Sequence, residues 1–205
     1  MDIRTRLEDG ARQLDVVLTE AKLDLLIDYL GMIQKWNKAY NLVGTSNTNE
    51  LVQKHLLDSI SIIPHIKTSP VLDVGSGAGL PGIPLAISLP DISFTLLDSN
   101  GKKARFMRQV VMDLKLTNVE IVQTRVENYH PSIAPNTVLS RAFAPLNKAL
   151  EMLAAACAPQ GQVQIMLGTQ PGELPAIEEI SNIHVHSVTI PGLDSQRHLL
   201  IADRV

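Results

Sequence analysis

The residues of this chain best suited to chemistry gather around a run of glycines. From Val71 to Gly82 it reads VLDVGSGAGLPG, an apolar segment that meets Asp73 and then places Gly75, Gly77, Gly79 and Gly82 within eight residues. Glycine tolerates positive φ and lets a ligand approach the main chain, so such a turn is expected to present backbone N–H groups. The helical pattern that follows would add a helix N-terminus, favourable to anionic or polar groups. A second apolar run, Ser93 to Leu97, ends at Asp98, about twenty residues after the glycines. Val126-Glu127 and Ser140-Arg141 follow two further apolar runs, and His55 and Asp58 stand three apart upstream. The pattern is that of a nucleoside-cofactor site.

Two cofactors compete for it. The dinucleotide fingerprint G-x-G-x-x-G fits Gly77, Gly79 and Gly82, but this frame starts late, because the apolar segment ends near Val74. Counted from Gly75, the third position is Leu80. Asp73 would also face a pyrophosphate, whereas it suits S-adenosylmethionine, which carries an ammonium and a sulfonium and no phosphate. Asp98 suits either cofactor, since a carboxylate there accepts from ribose hydroxyls. Val126 and Glu127 would lie by the adenine, or Glu127 would only complement a helix N-terminus. Arg141 falls where ligands sit in parallel sheets, at a carboxyl end, unless it forms a structural ion pair.

The elements that must position these residues read as alternating short strands and helices from Pro70 onward. Strands are expected at 70–74, 93–97, 118–123, 137–140, 162–167, 184–189 and 198–203, with helices near 80–89, 102–115, 143–157 and 173–181. This alternation predicts a parallel sheet covered on both faces. The short link from Pro191 to Ser195 forces the last two strands to pair antiparallel. Seven strands with that ending are the layout of a Rossmann-like methyltransferase. Residues 1–65 predict an all-helical extension, with helices over 2–18, over 20–39 behind a Thr19 cap, and over 50–63 before Pro64. Residues 66–205 would form the cofactor-binding domain.

Composition narrows the setting. The 205 residues are 45% hydrophobic and 19% charged, enough for one well-buried domain. One cysteine, Cys157, excludes a disulfide framework or a cysteine-based metal cluster and reads as a core residue. No metal site is expected. No signal-like N-terminus and no apolar run near the roughly 18 residues of a membrane span predict a soluble, cytoplasmic protein with no membrane partner. A monomer is favoured. The net charge of −3 argues against strong nonspecific nucleic-acid binding, yet 16 of the 18 Lys and Arg residues fall at or before Lys148. Lys102, Lys103, Arg105 and Arg108 share one helical stretch, as a solvated face or a contact for a polyanion.

The reaction narrows at the fourth strand. An exocyclic-amine methylase would show Asn/Asp-Pro-Pro-aromatic where this chain has Leu139-Ser140-Arg141-Ala142-Phe143. A C5-pyrimidine methylase needs a cysteine nucleophile, a role Cys157 does not suit. With no paired carboxylates or His-Asp set that marks an obvious general base, the site suits an acceptor with a free lone pair, such as guanine N7, and catalysis by alignment.

Six stretches together resemble the bacterial 16S rRNA guanine-N7 methyltransferases, also known as glucose-inhibited division protein B. They are Trp36-to-Leu42 (WNKAYNL), His55-to-Ser59 (HLLDS), Leu72-to-Pro84 (LDVGSGAGLPGIP), Leu97-to-Lys103 (LDSNGKK), Ser140-Arg141-Ala142 and Arg197-His198-Leu199. The resemblance spans essentially the whole chain. It implies S-adenosyl-L-methionine as donor and, as substrate, the N7 of a guanosine in the decoding-centre loop of 16S rRNA, within a small ribosomal subunit particle. By family pattern Gly75, Leu80, Val126, Glu127 and Arg141 match cofactor positions; Asp73, Gly77 and Asp98 join them from the chemistry above. Arg141, His55 and Asp58 become substrate-side candidates. Lys35, Lys38, Lys54 and the Lys102–Arg108 face become an RNA track. One departure stands out: where the family pattern has a lysine before the glycine of the fifth strand, this chain has Leu167, which cannot bind phosphate. A methyltransferase for a small molecule or protein is the alternative, and a nicotinamide-dependent oxidoreductase a more distant one.

Overall fold

The computed structural model describes residues 2–141 and 144–205. Ala142 and Phe143, which close the fourth-strand motif and open the expected helix at 143, lie outside the described residues. The N-terminal third is helical: α1 (Ile3–Gln13), α2 (Glu20–Tyr40), α3 (Thr48–Leu51), a π-helical stretch (Val52–Leu57), α4 (Asp58–Ile60) and a 3₁₀ turn (Ile63–His65). Then follow β1 (Val71–Val74), α5 (Gly82–Ser88), β2 (Phe94–Leu97), α6 (Gly101–Asp113), β3 (Val119–Val122), a 3₁₀ turn (Val126–Asn128), β4 (Thr137–Arg141), α7 (Leu146–Ala156), β5 (Gln162–Leu167), β6 (Ile180–Val188) and β7 (Arg197–Arg204). The seven strands form one sheet in the order β3-β2-β1-β4-β5-β7-β6. The first five run parallel, and β7 pairs antiparallel with both β5 and β6.

Alternate side chains of the strands feed two apolar layers. On one face Val71, Phe94, Leu96, Leu139, Met166, Leu199 and Ile201 pack with α1, α2, α5, α6 and the α3–α4 segment in a single core. On the other, Leu72, Val74, Val138, Val163, Ile165 and Leu200 meet α7 through Ala149, Leu150 and Leu153. The first 65 residues therefore share a core with the sheet. Tyr29 of α2 is fully buried, and its hydroxyl donates to the Ala78 carbonyl inside the glycine loop at 2.7 Å. Lys22 likewise donates to the Ser88 carbonyl at the end of α5, at 2.7 Å. Each such buried leucine or isoleucine contributes about 1.5–3 kcal/mol.

Several expectations are corrected. No helix forms over 173–181: Pro175 lies inside that span and Pro171-Gly172 just before it, and Leu174 and Ile177 pack on the α7 core as coil. The chain then enters β6 earlier than expected, at Ile180. The helix expected over 2–18 ends at Gln13. The helix expected over 50–63 changes to π register in its middle, and Pro64 sits inside the 3₁₀ turn rather than beyond the helix end. Thr19 caps α2 as expected, by accepting from the Lys22 N–H. Asn41 closes α2 in the left-handed region at φ 48°, while the Asn37 side chain accepts from the Val43 N–H.

Candidate functional site

Two cavities open at the carboxyl edge of the sheet. The larger, about 580 Å³, is lined by Val74 and Gly75 after β1, by Leu97, Asp98, Ser99 and Lys103 after β2, by Thr124 to Glu127 after β3, and by Ala144, Pro145, Lys148 and Met152 around α7. Of the sequence candidates, Gly75, Asp98, Val126 and Glu127 come together here.

The glycine loop is built differently from the phosphate cradle its composition suggests. Six of its N–H groups are taken by the protein: Gly75 and Ser76 donate to the Leu97 carbonyl, Gly79 and Leu80 to the Ser76 carbonyl, Gly77 to Asp98 Oδ2 and Gly82 to Asp73 Oδ2. Gly75, Gly77 and Gly79 all have positive φ (71°, 62° and 90°), which allows this tight packing. At Gly82 a Cβ would stand only 2.7 Å from Asp73 Oδ2 and from Leu96 Cγ.

Asp73 and Leu80 do not line this cavity. Asp73 is fully buried under the loop, where Oδ2 takes the Gly82 N–H at 2.9 Å and Oδ1 has no partner. Burial pushes its carboxyl up to about 7, against the opposing pull of the Gly82 N–H. Leu80 is 7% exposed and belongs to the helical core. Both shape the loop from beneath. Asp98 instead sits at the cavity wall with each oxygen anchored, Oδ1 by the Asn100 N–H at 2.8 Å and Oδ2 by the Gly77 N–H at 2.9 Å; Lys103 Nζ stands 4.0 Å away. A carboxylate held so firmly keeps lone pairs free for two hydroxyls. With apolar Leu97, Val126 and Met152 beside it, the cavity fits a nucleoside, and the N–H groups already taken fit one without a pyrophosphate.

The second cavity, about 270 Å³, lies between the π-helical segment and the ends of β4, β5, β6 and β7. It gathers Arg141, His55 and Asp58, as well as Arg197 of the Arg197-His198-Leu199 motif, whose type and spacing alone assign it no role. Arg141 Nη1 contacts Asp58 Oδ2 at 3.2 Å and donates to the Lys54 carbonyl at 3.3 Å, while Nη2 donates to His55 Nδ1 at 3.0 Å. Arg197 Nε approaches Asp58 Oδ1 at 3.7 Å. Burial pulls His55 down to about 4, with the Arg141 charge adding to it, so the imidazole is neutral at physiological pH. Since an arginine only donates, the His55 proton resides on Nε2. Burial also raises the Asp58 carboxyl, opposed first by Arg141 and then by Arg197.

Leu167 lines this same cavity, next to Arg141, Arg197 and Lys54, so cations surround the position that departs from the family pattern. Lys54 is held by Glu50 at 3.3 Å. Cys157 is buried against α7, and its thiol is pushed up to about 11 by burial, which leaves no thiolate at neutral pH. Tyr29 escaped the sequence reading because a tyrosine on an apolar helical stripe looks like ordinary core.

Comparison with known proteins agrees with this architecture. Residues 22–200 match the family model GidB, described as rRNA small subunit methyltransferase G. The chain is 45% identical to the ribosomal RNA small subunit methyltransferase G of Pseudomonas syringae pv. tomato, covering 97% of this chain and 95% of that protein. It is 44% identical to the Chromobacterium violaceum protein of the same name, over 95% and 94% of the two chains. Among solved structures, magnesium protoporphyrin IX methyltransferase from Synechocystis, with bound S-adenosylmethionine, superposes with a TM-score of 0.59 at 13% identity, over 87% of this chain and 98% of that one. An rRNA methylase from Streptococcus thermophilus gives 0.51 at 14% identity, over 72% and 94%. These two likenesses concern the fold, which is the Rossmann-like fold of S-adenosylmethionine-dependent methyltransferases. The extent and identity of the sequence matches establish that the chain belongs to the GidB family of small-subunit rRNA methyltransferases and is an enzyme.

Proposed function

We propose that this protein methylates N7 of a guanosine in the decoding-centre loop of 16S rRNA, in the cytoplasm, on RNA held in a small ribosomal subunit particle. One observation carries the reading. β4 ends between the two cavities: Arg141 lines the smaller, and Ala144 and Pro145 line the larger. A donor in one cavity and an acceptor in the other would meet at this strand end, the usual place for ligands in open parallel sheets.

In this reading S-adenosyl-L-methionine supplies a methyl group on a sulfonium, which a lone pair can take directly. Asp98 holds the ribose hydroxyls, while Val126 and Glu127 border the adenine. Gly75 and Gly77 set the backbone path of the loop, kept in shape by Asp73, Leu80 and Tyr29. Arg141, fixed by Asp58, Lys54 and His55, faces the substrate side. The site offers no strong base at neutral pH: His55 is a weak base with a pKa near 4, and Asp58 lies between two guanidinium groups. That suits guanine N7, which attacks without losing a proton, and leaves alignment as the main source of acceleration. A nicotinamide dinucleotide is disfavoured, because the loop N–H groups that would meet its pyrophosphate are taken by the protein.

The test is to map N7-methylguanosine in small-subunit rRNA from cells lacking the protein, with calorimetry of S-adenosylhomocysteine and NAD alongside. Loss of one modified guanosine and binding of S-adenosylhomocysteine are expected. An unchanged rRNA pattern would refute the substrate, and binding of NAD alone would refute the reaction.

A further inference from the structure

The end of α2 carries an aromatic ladder that burial explains only in part. Phe106 of α6 is fully buried, and Trp36 meets it edge-on with ring centroids 5.4 Å apart at 60°. Tyr40, one turn further along α2, stacks on Trp36 with centroids 5.3 Å apart at 31°. The three rings lead from the core to the surface, and Tyr40 is 39% exposed, the only exposed aromatic among the described residues. In a chain with only 3% aromatic residues, this one lies outside the core yet packs against Trp36, which in turn meets Phe106.

Its neighbours are cations. Lys102 Nζ lies 6.0 Å from the Tyr40 ring centroid, within reach of a cation–π contact. Lys102, Arg105 and Arg108 follow three apart along α6, all exposed. Among the described residues none of the three pairs with a carboxylate. Beside Lys102, Lys103 turns to the cofactor cavity and approaches Asp98. The cationic row thus begins at the mouth of that cavity, and the exposed ring stands at its start.

We propose that Tyr40, with Lys102 at its ring, is a base-stacking platform for a single-stranded nucleotide neighbouring the one that is methylated. An exposed ring at a helix end offers apolar surface to any base, and unpaired cations beside it can contact the phosphates on either side. Confining these cations to one face also explains how a chain of net charge −3 can bind a polyanion locally. The proposal rests on the RNA substrate above for the identity of the nucleotide, but stacking can be measured without methyl transfer.

The experiment compares binding of a short oligoadenylate with that of the same oligomer bearing abasic riboses, by fluorescence anisotropy at low ionic strength. The wild-type protein is expected to prefer the base-bearing oligomer by about five- to a hundredfold, the usual size of one base–aromatic stack. Tyr40→Leu should abolish that preference, and Tyr40→Phe and Tyr40→Trp should keep it, with S-adenosylhomocysteine binding unchanged in all three. Lys102→Ala should weaken both oligomers alike and reduce the salt dependence. Full preference retained in Tyr40→Leu, a wild type indifferent to the bases, or no binding of either oligomer would overturn the platform. A wild type that stacks adenylate but leaves rRNA unmethylated would instead overturn the proposed reaction.

Discussion

The two cavities at the sheet edge are built on opposite plans. The larger one is assembled mainly from consecutive strand-to-helix links, with α7 closing one side, and its shape is held by hydrogen bonds from main-chain N–H groups. The smaller one joins residues from the π-helical segment, the end of β4 and the start of β7, held by side-chain ion pairs and hydrogen bonds. The first should therefore be sensitive to small changes in backbone space, and the second to loss of a single charge.

The largest expected effect tests the charged cavity. Arg141→Ala should lower methyl transfer about a hundredfold or more, the scale seen when one well-placed donor is removed from an active site. It should also lower stability by up to about 3 kcal/mol, because Asp58 loses its closest cation while buried. Without Arg141 the folded-state pKa of Asp58 rises further above its unfolded value. The deficit is then largest at neutral pH and shrinks as pH falls and Asp58 takes a proton. Urea unfolding at pH 7 and pH 5 with a methyl-transfer assay measures both; wild-type turnover would break the comparison.

A smaller effect tests the backbone-built cavity. Gly82→Ala puts a Cβ 2.7 Å from Asp73 Oδ2 and from Leu96 Cγ, both deeply packed. Overpacking of this kind costs about 1–3 kcal/mol. Calorimetry should show weaker binding of S-adenosylhomocysteine together with a lower unfolding midpoint. If the variant binds and melts like the wild type, the loop is less tightly specified than its hydrogen bonds imply.

The smallest effect sharpens the contrast within the loop. The folded-state pKa of Asp73, near 7, is raised above its unfolded value, so its contribution to stability is complete in acid and is lost as pH rises through about 7. Asp73→Asn should flatten the pH dependence of the unfolding midpoint between about pH 4 and pH 7, the interval between the unfolded and folded values. Parallel curves for variant and wild type would show that Asp73 does not change protonation in this range.

Much of the sheet was readable from periodicity, because strand residues such as Val138-Leu139 and Leu199 to Ala202 are buried on both faces as apolar runs. The glycine loop and Asp98 were also readable, since their chemistry depends on residues near one another in sequence. What was not readable depends on tertiary packing. Residues 173–181 carry apolar side chains that a helix could have buried, but Leu174 and Ile177 reach the α7 core as coil. Leu80 matched a cofactor position by family pattern, yet packs into the helical core. Lys54, on the expected RNA track, pairs its ammonium with Glu50 one turn earlier, a partner that only the folded helix identifies.

By itself, the sequence determined the parallel strand–helix alternation, the absence of a cysteine framework, the carboxylate that ends β2 and the motifs that carry family membership. These are local, since each follows from residue type and spacing within one or two elements. Only the tertiary structure decided that the loop N–H groups are taken by the protein, that Asp73 lies beneath the loop, and that Arg141, His55, Asp58 and Arg197 share one cavity. Each of these depends on which groups far apart in sequence are brought within hydrogen-bonding distance, and a low-dielectric interior makes every such pairing, or its absence, count. The same holds for Tyr40, whose exposure beside Lys102 arises from the packing of α2 on α6.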